Sequence, residues 1–166
     1  METESAAYAL GVDAGNTKTI ALVARLDGAI IGAGRGGCGD IYDSTNVYSA
    51  ASAAEAADAA LAAVEAAVRA ALAMAGVGAD ALVAGDFNMA EPIGLRISTS
   101  CARPWRGFGR RVIIVHDSIG VLRAGSPDGT GVAVVCGTGA AIGARAPDGR
   151  VWHTSHWQGQ RDSPPL

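Results

Sequence analysis

The chain predicts an α/β fold built on a mixed sheet, and three observations carry that expectation. Short apolar runs at residues 8–13, 18–25 and 29–34 are separated by turn residues, which is the spacing of a strand meander. An alanine-rich segment from Ser52 to Ala75 then places Leu61, Val64, Val68 and Leu72 on one helical stripe. Apolar runs at 81–89 and 112–116, a short helical stretch at 118–124, and a final pair of runs at 131–136 and 140–146 complete an alternation of strand and helix.

Each element has its own punctuation. Asp27-Gly28 is a tight-turn signal between the second and third runs. Residues 34–46 are rich in glycine and polar side chains and read as a loop. Ser52 and Glu55 have capping-box spacing, Asp58, Glu65 and Arg69 lie off the apolar stripe, and Gly76 stops the helix. Ser118 stands near the start of the short helix. Pro147-Asp148-Gly149 makes a turn before a last run at 150–152.

Composition bounds the function. The 166 residues suffice for one core, with 49% hydrophobic and 17% charged residues. A net charge of −3 offers no basic footprint, so no nucleic-acid partner is expected. Cys38, Cys101 and Cys136 form neither a metal signature nor an even disulfide set. No signal segment precedes Tyr8 and no apolar run has the length of a membrane span, so a cytoplasmic protein without a membrane partner is expected.

The most informative residues are Leu-Gly-Val-Asp-Ala-Gly-Asn-Thr-Lys-Thr at 10–19. A strand runs into Asp13, a small-residue turn follows, and a second strand leaves. Such a turn suits a phosphate chain. Gly15 permits close approach, Asn16, Thr17 and Lys18 supply donors, and Asp13 is a carboxylate for Mg²⁺. A plain hairpin turn would also use a glycine and an asparagine. Two later motifs add weight: His116-Asp117-Ser118 after an apolar run, and Cys136-Gly137-Thr138-Gly139 after another. Asp117, between a strand and a helix, reads either as a helix cap or as a carboxylate facing a cleft. Thr138 reads either as a structural turn threonine or as a hydroxyl donor.

This ordered set, with Ser126-Pro127-Asp128-Gly129 between its last two members, resembles the sugar-kinase/Hsp70/actin superfamily. Within it, residues 8–152 look like the BadF/BadG/BcrA/BcrD-type ATPases, which include N-acetylglucosamine kinases. The resemblance implies a ribonuclease-H-like (actin-like ATPase) lobe, and the meander, helix, strand, helix and returning hairpin fit one such N-terminal lobe with the second absent. It implies ATP and Mg²⁺ as cofactors and an amino sugar as acceptor, and leaves room for a homodimer. Asp117 matches the general base, Thr17 and Thr138 match nucleotide-contacting threonines beside Gly137 and Gly139, and Asp13 matches the metal-side carboxylate. Asp40 stands where these kinases carry a sugar-contacting asparagine. An aspartate accepts from hydroxyls but cannot donate as an amide does, so the departure touches the identity of the sugar. Relatives often carry Asn or Thr at position 116, and no role is expected for His116. None is expected for His153, His156, Trp152 or Trp157.

Two segments depart from the family pattern. Residues 91–107 lose all periodicity, and a plausible back-translation of residues 90–99 in a shifted frame restores a family-like Gly-Ala-Asp-Trp-Pro-Glu-Asp-Phe. The hypothesis of a frame-shifted segment fails if the coding sequence cannot yield that frame. The tail at 153–166 is polar and ends in Pro-Pro-Leu, and an altered frame would account for it too. Asp86 reads as a strand-edge aspartate. A half-cleft cannot close on ATP, so this chain alone is expected to be nearly inactive. Two other readings stay open: an ATPase that activates a radical dehydratase through a subunit-bridging iron–sulfur cluster, and a non-catalytic fragment.

Overall fold

The computed structural model describes residues 7–40, 53–89, 107–137 and 140–154. Strand β1 (Tyr8–Ala14) turns into β2 (Thr19–Arg25), which turns into β3 (Ile30–Gly36). Helix α1 (Ala53–Ala75) and a 3₁₀ turn (Ala79–Ala81) lead to β4 (Leu82–Met89), and β5 (Arg111–His116) runs directly into α2 (Asp117–Gly125). Strands β6 (Gly131–Cys136), β7 (Ala140–Arg145) and β8 (Val151–His153) follow. The predicted cap at Ser52, residues 41–46 of the predicted loop, the aperiodic segment at 91–106, and Thr138, Gly139 and residues 155–166 lie outside the described residues.

The first five strands form one mixed sheet in the order β3-β2-β1-β4-β5. The meander is antiparallel, while β4 and β5 lie parallel to β1. This is the predicted class: an α/β, ribonuclease-H-like lobe with a three-strand meander. The expected returning hairpin does not join that sheet. β6, β7 and β8 make a separate antiparallel sheet, and α2 packs against β6 and β7 as well as β4 and β5. Alternation of apolar residues predicts strands but carries no information on which sheet they enter.

One face of the large sheet is the core. Leu10, Val12, Ala14, Ala21, Val23, Leu82 and Phe87 point to it, and Val64, Val68, Ala67 and Ala71 of α1 close it. The predicted stripe is therefore correct at Val64 and Val68, with Leu61 and Leu72 at its margin. Helix and sheet approach closely because β3 offers Gly32, Gly34 and Gly36. A Cβ at any of them would collide with the α1 backbone at Ala71, Ala67 and Ala63 respectively. On the far side of α1, Arg69 and Glu65 pair at 2.9 Å. Gly76 ends the helix at φ 68°, a left-handed value that glycine adopts without strain. The Asp27-Gly28 turn forms as predicted, with Gly28 at φ 91° and Asp27 accepting from the Ala29 N–H at 3.0 Å.

Candidate active site

The site is laid out by register. Paired strand residues point to the same face, so the face opposite α1 carries the row Arg35, Ile20, Asp13, Asn88 and Val115 across β3, β2, β1, β4 and β5. A second row, Ala33, Leu22, Gly11, Asp86 and Ile113, lies two residues back. Asp13 thus stands at the C-terminal end of β1, beside the C-terminal ends of β4 and β5. Asp117 is the first residue after β5 on that same edge. Carboxyl ends of parallel strands are where open α/β sheets place their ligands.

The charge of Asp117 reaches Asp13. The Asp13 carboxyl is held above its ordinary range, first by partial desolvation and then by the negative charge of Asp117, with the Lys18 ammonium opposing. Two like charges brought close together favour a proton, or a cation, between them.

The turn that holds Asp13 is stitched from behind. The Gly15 N–H donates to the Lys18 carbonyl at 3.1 Å, and the Gly39 N–H donates to the Gly15 carbonyl at 3.0 Å. The fully buried Thr19 donates its hydroxyl to the Gly37 carbonyl at 3.0 Å. A Cβ at Gly39 would press on Thr19 and Ala14, so residues 37–40 lie flat against the turn. Asp40 is thereby brought under the turn and is buried, with the Cys38 thiol donating to its backbone carbonyl at 3.3 Å. Thr17 and Lys18 face solvent, and Asn16 is half-buried. Gly137 is exposed at the end of β6, in the other sheet.

Asp117 opens α2, but the capping residue is His116, whose Nδ1 lies 3.3 Å from the Ser118 N. The Asp117 Oδ1 accepts from the Ser118 N–H, at 2.6 Å, and lies 3.0 Å from the His116 Nδ1. Asp117 therefore supports the helix start without being its cap, and it follows β5 on the edge where β1 carries Asp13.

Three residues escaped the sequence reading. Asn88 is the direct neighbour of Asp13 across β1 and β4, and its Nδ2 donates to the Val12 carbonyl at 3.3 Å while its Oδ1 is enclosed against Gly120. Its position at the end of an apolar run, as with Asp13 and Asp117, was the available signal. Asp86 is not at an edge: it sits within β4, an interior strand, with one oxygen enclosed and unpartnered, and desolvation raises its pKa. His116 is nearly fully buried against Asp117 and Ser118.

Among the described residues no three His, Cys, Asp or Glu side chains cluster as a metal-holding group. No helix among those residues is long and apolar enough to cross a membrane.

The fold is α/β, a five-strand mixed sheet flanked by helices, and it is shared with solved structures. The chain is similar to a candidate N-acetylglucosamine kinase from Chromobacterium violaceum (TM-score 0.58, 24% identity), covering 96% of this chain and 51% of that one. It is also similar to a candidate N-acetylglucosamine kinase from Porphyromonas gingivalis (TM-score 0.54, 21% identity), covering 81% of this chain and 43% of that one. The chain thus spans about half the length of these structures. No protein-family model matches it, and no curated protein matches its sequence.

Proposed function

We propose that this chain carries the phosphate- and acceptor-side half of an ATP-dependent sugar kinase of the BadF/BadG/BcrA/BcrD type, acting on an amino-sugar hydroxyl. The convergence of Asp13 and Asp117 on one strand edge, strong enough for one charge to shift the other's proton affinity, is the observation that carries the reading. The likeness to two candidate N-acetylglucosamine kinases supports it.

In this reading Asp13 holds Mg²⁺, which offsets charge on the polyphosphate. Gly15, Asn16, Thr17 and Lys18 line one phosphate loop, and Gly137, Thr138 and Gly139 line a second. Asp117 orients the acceptor hydroxyl and takes its proton as the oxygen bonds to the γ-phosphorus and the bond to ADP breaks. Asp40 contacts the sugar. Adenosine is held elsewhere in a full-length enzyme, so the chain by itself turns over slowly, in the cytoplasm or wherever the whole protein works.

The test is thermal melting with Mg²⁺ and ATP, followed by coupled ADP release with amino sugars. A Mg²⁺-dependent stabilisation by ATP, lost in Asp13→Asn, is the expected result. No stabilisation at saturating nucleotide overturns the kinase reading. Rapid ADP release would overturn the expectation of slow turnover alone.

A further inference from the structure

We infer that His116 is a positioning residue for Asp117: its Nδ1–H holds Oδ1 of the carboxylate, so that Oδ2 is the oxygen turned toward the acceptor. The proposal deepens the kinase reading and rests on it for the role of Oδ2, while the His116–Asp117 link stands on its own geometry.

The imidazole has three polar neighbours, all at Nδ1. The Ser118 Oγ lies at 2.7 Å, the Asp117 Oδ1 at 3.0 Å and the Ser118 N at 3.3 Å. The Ser118 N–H already has a shorter acceptor in Asp117 Oδ1, at 2.6 Å. A bare Nδ1 lone pair facing a carboxylate oxygen at 3.0 Å would set two acceptors against each other. With its proton on Nδ1, the ring instead donates into the Oδ1/Oγ pair.

The other ring nitrogen points the same way. Nε2 is enclosed with no hydrogen-bond partner among the described residues. Leaving a buried N–H donor orphaned is costly, and a carbonyl- or imidazole-type acceptor in that condition is the better tolerated of the two. The ring is further fixed from the second sheet, where His153 of β8 stacks on it with centroids 4.4 Å apart and planes 16° apart. Among the described residues Asp117 and His153 are the titratable groups that face the ring.

The consequence concerns orientation. Oδ1 of Asp117 takes two contacts, from Ser118 N and His116 Nδ1, and these fix the carboxylate plane. Among the described residues Oδ2 takes none, which leaves it for a hydroxyl. Holding a base within hydrogen-bond reach in a single orientation is a large part of what a protein contributes to such a step.

Two measurements on the full chain test this, and the first needs no turnover. Two-bond ¹H–¹⁵N correlation spectra report which ring nitrogen of His116 carries the proton at neutral pH. The Nδ1–H tautomer is expected in the wild type. In Asp117→Ala the Ser118 N–H loses its carboxylate and turns to the ring, so the proton should move to Nε2. An Nε2–H tautomer in the wild type, or the same tautomer in both proteins, overturns the proposal.

The second measurement is amino-sugar-dependent ADP release. His116→Leu should lower kcat by about tenfold to a hundredfold while the KM for ATP stays within about twofold. His116→Asn, whose amide can stand where Nδ1 stands, should recover most of the loss. Equal kcat in the wild type and the leucine variant overturns the positioning role. A wild-type chain with no turnover counts against phosphoryl transfer, and the tautomer pair then decides the His116–Asp117 link unaided.

Discussion

Asp13 has its proton affinity raised first by partial desolvation and then by Asp117 two strands away, because β4 and β5 run parallel to β1 and end on the same edge. The shift has a sign that can be measured. Asp13 binds its proton more tightly in the folded chain than in the unfolded one. Its favourable contribution is fully present below the unfolded carboxylate value of 3.8 and is lost as pH rises through the higher folded value. At neutral pH the ionised Asp13 is therefore a cost to the empty fold. Asp13→Asn is expected to raise Tm near pH 7, with the gain fading as the pH is lowered through the carboxylate range. The same variant should lose the stabilisation by Mg²⁺ and ATP. A variant that melts lower than the wild type at neutral pH would contradict the assigned electrostatics.

Asp86 makes a similar argument without a partner charge. Its pKa is raised by desolvation, and one of its oxygens is enclosed with nothing among the described residues donating to it. Asp86→Asn removes the buried charge and supplies a donor, so it should stabilise the chain at neutral pH and be close to neutral below about pH 4. Because Asp86 lies one row behind Asp13, the ATP-dependent shift should survive the change. Melting curves of the two variants, with and without nucleotide, separate a stability cost from a ligand role.

Much of this was legible in the residues. Period-two alternation located the strands, and the stripe through Val64 and Val68 located the buried face of α1. Asp13 and Asp117 were marked by their place at the ends of apolar runs. What escaped is contact information. Nothing in the spacing of residues 131–146 says that β6 and β7 leave the main sheet, because either placement buries one face of the hairpin. Asn88 became interesting only when register set it beside Asp13. His116 looked like a variable strand-end residue until its ring was placed against both Asp117 and His153. The alanines of α1 read as helix formers, whereas their smallness is what lets them meet the glycines of β3.

That last contact predicts a steep penalty. At Gly34 a Cβ would meet the carbonyl of Ala67, the backbone nitrogen of Ala71 at 2.5 Å and the Cβ of Ala70 at 3.0 Å. Backbone cannot rotate aside as a side chain can, so the helix must lift from the sheet. Gly34→Ala is expected to cost about 3 kcal/mol or more, at or beyond the upper end of ordinary overpacking. Gly11→Ala, on the open face with no atom within 4 Å, should change stability by less than about 0.5 kcal/mol. Urea titrations of both proteins test the contrast, and equal midpoints would mean that α1 does not seat on β3 as described.

A second close approach joins α2 to the smaller sheet, and it bears on the site. Ser118 is fully buried, and its side chain lies directly over Gly143 of β7. A Cβ at position 143 would press on the Ser118 hydroxyl, stand 2.8 Å from its Cβ and 3.0 Å from the Ile119 Cδ1. The hydroxyl cannot simply swing away, because it is held 2.7 Å from His116 Nδ1. Gly143→Ala must therefore either displace α2 or break the His116–Ser118 contact, at a cost of about 1–3 kcal/mol. Gly137→Ala, in open space on the neighbouring turn, should be close to neutral in stability. The two outcomes for Gly143 are separable: loss of the His116 contact changes the ring's ¹⁵N shifts, while displacement of α2 lowers the protection of its amides against hydrogen exchange. A Gly143→Ala chain with wild-type stability, shifts and protection would show that α2 and β7 are not in contact at all.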